Sequence, residues 1–250
     1  MPYTCCCCHA EASHNPVRRT WLKGALAAAA GVALTPLLLP GRAAAVSLSR
    51  ERRDAMTPGQ VIDMLREGNA RFRNGTMHSH DFLEQKRATA SGQYPAAVIL
   101  SCIDSRAPAE IIFDTGIGDA FGARIAGNVA TDELIGSMEF ACAVAGARLV
   151  LVMGHTACGA IAGAIDQVQL GRLTGLLDQI RPAVESARYE GERTAANRAF
   201  VDAVAQANVG HAIARIRQRS ELLAGLEQKG AIKIAGAMYD LGNGEVTFMG

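Results

Sequence analysis

Ala96-Ala97-Val98-Ile99-Leu100-Ser101 forms a short, continuous apolar run, followed at once by Cys102-Ile103-Asp104-Ser105-Arg106. A run of this length without polar alternation reads as a strand buried on both faces of a parallel sheet. The polar cluster after it then sits at the strand's carboxyl end, where open α/β sheets bind ligands. Working outward, residues 121–126 make a second strand candidate. Residues 148–153 make a third, which ends at Gly154-His155. Residues 231–239 and 245–249 make two more, with Asn243-Gly244 as the turn between them.

The segments between the strands carry helical signals. Thr57-Pro58-Gly59-Gln60 combines an N-cap, a first-turn proline and a capping-box glutamine. Val61, Met64, Leu65 and Phe72 follow at helical spacing, and Asn74-Gly75 closes the pattern. A helix is expected over residues 131–145, with Cys142 on its apolar side as a packed core thiol. Another is expected to begin near Cys158, and residues 172–228 read as mostly helical. His78 and His80 stand in a polar stretch that reads as an exposed loop. Strands alternating with helices predict an α/β fold with a mainly parallel β-sheet core and flanking helices.

Composition narrows the partners. A net charge of +1 gives no basic field to gather nucleic acid. An aromatic content of 5% gives no stacking platform for single strands. Both point to a small-molecule substrate and no nucleic acid.

Residues 1–45 read as an address, and residues 46–250 as the catalytic domain. Arg18-Arg19 precedes an apolar run from Gly24 to Leu39, and Ala43-Ala44-Ala45 resembles a small-residue cleavage site. The apolar run contains Pro36 and falls short of the ~20 residues a membrane span needs. The expectation is a twin-arginine signal, export to the periplasm, and no stable membrane insertion once the signal is cleaved. Cys5-Cys6-Cys7-Cys8 belongs to that leader, and no cysteine at the cleavage site calls for a lipid anchor.

Cys102, His155 and Cys158 are the chemically pointed set. Thiolate and neutral imidazole are preferred zinc ligands. His155 and Cys158 are spaced to reach one ion from a single strand-to-helix turn, and Cys102 approaches from the neighbouring strand end. Three protein ligands with an open fourth position is the pattern of a catalytic zinc. Asp104 and Arg106 lie just past Cys102. A carboxylate beside arginine stays ionised and can accept a hydrogen bond from a reactive water.

C-x-D-S-R, followed about fifty residues later by G-H-T-x-C-G, resembles the β-carbonic anhydrase family. Residues 118–128, Gly-Asp-Ala-Phe-Gly-Ala-Arg-Ile-Ala-Gly-Asn, resemble the family's stretch between the two motifs. The resemblance runs from about Leu65 to the C-terminus and is densest from Gln93 to Gly163. It implies reversible hydration of carbon dioxide to bicarbonate, with Cys102, His155 and Cys158 holding one Zn2+ per chain. Asp104 and Arg106 are then the catalytic dyad. The resemblance implies a substrate-binding role for Gln93 and an apolar wall at Phe121. It places Phe140 where plant-type members carry tyrosine, and Gly159 as a backbone donor to bicarbonate. Gln93 suggests the open, plant-like type, with Asp104 off the metal. Members of the family are dimers or higher oligomers, so a homodimer or homotetramer is expected, with Gln93 and Phe121 serving the neighbouring subunit. Two rivals remain at this point. One is a carbon disulfide or carbonyl sulfide hydrolase on the same fold. The other is a non-catalytic protein in which Cys102 and Cys158 pair as a disulfide in an oxidising compartment.

Overall fold

The structure is a computed structural model and describes residues 47–249. The signal read over residues 1–45 and the cysteines within it lie outside the described residues. In chain order the elements are α1 (Arg50–Ala55), α2 (Pro58–Arg73), α3 (Phe82–Thr89), β1 (Ala97–Ser101), α4 (Ala109–Ile112), β2 (Ala120–Arg124), α5 (Asp132–Glu139), β3 (Leu149–His155), α6 (Gly159–Ile165), α7 (Gly171–Leu177), α8 (Arg181–Ser186), α9 (Arg198–Arg219), α10 (Glu221–Gln228), β4 (Lys233–Tyr239) and β5 (Val246–Phe248).

The five strands form one sheet in the order β2-β1-β3-β4-β5. β2, β1, β3 and β4 run parallel, and β5 returns antiparallel on β4. This is the α/β architecture expected from the alternation of strands and helices. β1 and β3 are central and buried at every residue, which is why both read as unbroken apolar runs. Their side chains still alternate between two cores. Ala97, Ile99, Leu149, Leu151 and Met153 pack with Val61, Leu65 and Phe113 on one face. Val98, Leu100, Val150 and Val152 pack with Val209, Ile216 and Ile234 on the other.

Local signals act as the residues suggest. The Thr57 hydroxyl accepts from the Gln60 backbone and the Gln60 side chain accepts from the Thr57 backbone, closing the capping box of α2. Asn69, buried in α2, donates to Ile112 and Gly244 carbonyls and accepts from the Val246 backbone. It thereby ties α2 to the C-terminal hairpin. Cys142 is buried in the core as expected, and burial pushes its thiol up to about 12.

Two local readings are corrected. The helix expected over residues 131–145 changes pitch. α5 ends at Glu139 and a π turn follows over Phe140–Val144, with the Ala145 N–H donating to the Phe140 carbonyl. The stretch over residues 172–228 is mostly helical as read, with breaks between α7 and α8 and between α8 and α9. His80 is not a loop residue facing water. Its side chain is 7% exposed and meets Asp114, whose side chain is 0% exposed.

Asp114 stands at φ +48° and accepts from Arg71 Nε at 2.6 Å and His80 Nε2 at 2.8 Å, with the His78 backbone N–H at 3.1 Å. Gln85 Nε2 lies 3.1 Å from His80 Nδ1. Gln85 Nε2 donates to Nδ1, and His80 Nε2 carries the hydrogen that meets Asp114. Burial is the largest influence on the Asp114 carboxyl and pushes its pKa up. Arg71, His80 and the His78 N–H together outweigh it and hold the carboxyl below its ordinary range. A depressed folded pKa gives stability that is present above the unfolded pKa and is lost as pH falls through the folded one. Asp114→Asn keeps a residue that tolerates positive φ and removes only the charge. It is expected to cost about 2–3 kcal/mol in urea denaturation at pH 7, and the cost should shrink in acid.

Candidate metal centre

Each candidate ligand is delivered by a strand end. Cys102 follows β1 directly, His155 is the last residue of β3, and Cys158 is the N-cap of α6. β1 and β3 are hydrogen-bonded neighbours in register, so their carboxyl ends open side by side. The ligand atoms of Cys102, His155 and Cys158 all lie within 4.8 Å of one another, and all three residues are buried.

Two observations test whether a metal fits. The sulfurs of Cys102 and Cys158 are 3.9 Å apart. Two metal–sulfur bonds of about 2.3 Å at a tetrahedral angle place sulfurs about 3.8 Å apart. That separation is far beyond a disulfide bond, and both cysteines are free thiols. His155 Nδ1 lies 2.9 Å from the Thr156 carbonyl oxygen and so carries the proton. Nε2, the nitrogen left with a lone pair, is buried without a hydrogen-bond partner among the described residues. A buried, unsatisfied acceptor beside two thiols is what a metal would satisfy.

The site also stabilises negative charge on sulfur. The Cys158 thiol, 3.9 Å away, draws the Cys102 thiol toward its ionised form. The Gly127 N–H, at 3.4 Å, adds to that effect. Cys158, hydrogen-bonded to the Cys102 sulfur, in turn holds its own proton more tightly.

Asp104 stands at the mouth of this group, with Oδ2 3.9 Å from His155 Nε2. Arg106 holds it from two sides, Nε to Oδ1 at 3.0 Å and Nη2 to Oδ2 at 2.8 Å, and its backbone N–H donates to Oδ1 at 2.9 Å. These hydrogen bonds, Arg106's side chain first, hold the Asp104 carboxyl far below the usual carboxylate range. Asp104 is therefore a fixed acceptor, charged throughout the neutral range.

A cleft of about 360 Å³ opens beside Cys102 and Asp104. Gly159 lines it, together with Ile103, Ala126, Val168, Leu173 and Leu177. This apolar wall was not legible in sequence, since its leucines come from α7 and Val168 from the loop before it. Arg124 was also missed. It donates from Nε to the Cys102 carbonyl at 2.9 Å and from Nη2 to the Asp104 carbonyl at 2.5 Å, clamping the loop that carries both groups.

Gln93, Phe121 and Phe140 are not part of this cluster in their own chain. Gln93 is exposed and precedes β1, a strand roughly 16 Å long, whereas Cys102 follows it. Phe121 pairs in register with Val98 near the amino end of β1. Phe140 packs edge-on against Phe121, with centroids 6.2 Å apart, and is 54% exposed.

A buried Cys-His-Cys group at adjacent parallel strand ends, guarded by an arginine-held aspartate, defines a metalloenzyme site at the sheet's carboxyl edge. The carbonic anhydrase family profile matches residues 97–246, from β1 to the start of β5. Carbonic anhydrase 2 of Mycobacterium tuberculosis is 36% identical over 189 residues, covering 73% of this chain and 88% of that protein. The carbonic anhydrase of Mycolicibacterium smegmatis is 34% identical over 184 residues, with the same coverage. The crystal structure of a β-carbonic anhydrase from Aspergillus fumigatus superposes with a TM-score of 0.59 at 25% identity, covering 76% of this chain and 89% of that one. The chain belongs to the β-carbonic anhydrase family. It is an enzyme of reversible carbon dioxide hydration.

Proposed function

We propose that the metal of this carbonic anhydrase is zinc, one per chain, held by Cys102, His155 and Cys158. One observation carries the reading: three ligand atoms of soft and borderline type converge within 4.8 Å beside a carboxylate that is already committed to Arg106. Zinc bound there supplies a Lewis acid that lowers the pKa of a water from 15.7 to about 7.

The chain's own residues supply the rest. Asp104 accepts a hydrogen bond from the attacking water and directs its lone pair at the substrate carbon. Arg106 fixes the carboxylate and keeps it ionised. The apolar wall of Ile103, Val168, Leu173 and Leu177 takes the nonpolar substrate out of bulk water. The Gly159 N–H, at the first turn of α6, donates to the bicarbonate product. Because Arg106 engages both carboxylate oxygens, the site belongs to the open type, with Asp104 off the metal at neutral pH. Zinc-edge spectroscopy at pH 7 and 8.5 tests this. Three protein ligands plus a light oxygen donor are expected, and a carboxylate in the first shell at both pH values would refute it. Metal analysis and a stopped-flow assay test the whole reading: one zinc per chain with hydration activity is expected. Carbon disulfide offered in parallel should be turned over far more slowly.

The working unit in this reading is a homodimer or homotetramer. Gln93, Phe121 and Phe140 lie too far from their own chain's metal site to serve it, and they complete the partner's. Phe140 and Val144, 54% and 72% exposed, lie in the π turn on this side and supply apolar surface for the interface. Gln93→Ala should lower kcat/KM by about tenfold through lost hydrogen bonding, leaving zinc content unchanged. Mixed oligomers of Gln93→Ala and Cys158→Ser chains would then retain one intact site in each mixed dimer.

Residues 1–45 direct export through the twin-arginine route to the periplasm in this reading. Residues 1–45 fused to a reporter should be exported, and Arg18→Lys with Arg19→Lys should retain the fusion in the cytoplasm. No helix among the described residues is long and apolar enough to cross a membrane.

A further inference from the structure

Two polar side chains on α9 reach the two loops that carry the ligands. Asn208 is buried, and its Nδ2 donates to the Gly127 carbonyl at 2.7 Å. The N–H of the same Gly127 donates to Cys102 Sγ at 3.4 Å. Gly127 is held at φ +67°, and a Cβ there would lie 2.6 Å from the Ile180 side chain. A side chain there would strain the backbone and press on Ile180, so glycine suits this peptide orientation. On the other loop, Asp202 Oδ1 accepts from the Ala157 N–H at 2.7 Å. Ala157 lies between His155 and Cys158 and sits at φ +52°, a region that costs an alanine energy and persists only where surrounding contacts impose it.

We infer that Asp202 and Asn208 are positioning residues of the metal centre, one for each ligand-bearing loop. The inference rests on reading Cys102, His155 and Cys158 as ligands of one ion. α9 is the longest helix among the described residues, and Val204, Val209 and Ile216 are fully buried along it. A rigid body of that kind can hold two loops in fixed relation. Asn208 sets the peptide whose N–H meets the Cys102 sulfur, and so tunes how much charge that thiolate donates. Asp202 sets only the turn between His155 and Cys158, so it fixes ligand geometry without touching a sulfur. Partners of this kind are worth 10–100-fold in metal affinity where they have been removed.

The two roles separate experimentally. The probes are Zn2+ affinity, by competition with a chromophoric chelator, and the thiolate-to-metal charge-transfer band after Co2+ substitution. Asn208→Ala is expected to weaken Zn2+ binding about 10- to 100-fold and to shift the cobalt band. Asp202→Ala should weaken binding about tenfold with the band in place, and Asp202→Asn, which keeps an acceptor oxygen, should return to within about threefold of the parent. Variants that melt earlier but bind Zn2+ as tightly as the parent would make both residues structural only and overturn the inference. Asp202→Asn as weak as Asp202→Ala would overturn the role of the Ala157 hydrogen bond. Should Asn208→Ala fail to fold, Asn208→Asp, nearly the same shape without a donor to Gly127, carries the same expectation. A parent protein that binds no Zn2+ would overturn the metal reading itself, a different result from a parent that binds and variants that match it.

Discussion

Cys158→Ser should lower kcat/KM for carbon dioxide hydration at least about a thousandfold, and the purified variant should retain well under one zinc per chain. A serine hydroxyl is a hard, un-ionised donor, where the metal needs a soft anionic one. The Cys158 thiol also lies 3.9 Å from Cys102 Sγ and favours its ionised form. Without the Cys158 thiol, Cys102 loses its largest source of stabilisation as thiolate. Cys142→Ser is the matching control. Cys142 is buried with its thiol at about 12, away from the ligand group, so its loss should lower stability while zinc content and activity stay near the parent's. Elemental analysis beside stopped-flow hydration reads both outcomes. Parent-like zinc and activity in Cys158→Ser would remove the metal centre from the account.

The second large effect concerns the carboxylate. Asp104→Asn should reduce kcat by about 10²–10⁴ while zinc remains at one per chain, because the group acts on the reacting water and not on the metal. An amide at this position still meets Arg106 with its oxygen, but it is neutral and can turn a donor toward the nucleophile. Arg106→Ala should act through Asp104. With the two guanidinium hydrogen bonds gone, the carboxyl pKa rises toward its ordinary range. The sign follows from the depressed value in the parent: the charged form then appears only at higher pH. The acid limb of the kcat/KM profile, set by the water near pH 7, should therefore gain a second, steeper fall below about pH 4 in Arg106→Ala, which a variant that only lowers stability would lack. A profile without that second fall would show that Arg106 does not hold Asp104 ionised.

The legible and illegible residues differ in how far along the chain their partners lie. Asp104 and Arg106 are two positions apart, and one loop folds them together. His155 and Cys158 flank a single strand-to-helix turn. Cys102 was found because β1 is an apolar run with an abrupt polar end, and strand ends are where sites collect. His80 was misread because its environment comes from Arg71, Gln85 and Asp114, and its polar sequence neighbours gave no sign that it was covered. Arg124 read as part of a family stretch, and only the fold turns it toward the carbonyls of Cys102 and Asp104. The π turn over Phe140–Val144 has no pattern of its own, since it differs from the α-helix by one residue of hydrogen-bond reach.

By itself the sequence determined the class of fold and the strands that end at the site, and it offered Cys102, His155 and Cys158 as candidate ligands beside Asp104 and Arg106. Periodicity, residue chemistry and spacing within one turn are properties of neighbouring residues, whereas joining Cys102 to His155 and Cys158 came from the resemblance of the combined motifs. Only the tertiary structure decided how the apolar cleft is walled and how α9 grips both ligand loops. Those contacts join residues 45 to 81 positions apart, and which of them form depends on the packing of elements between them, a property no local pattern encodes.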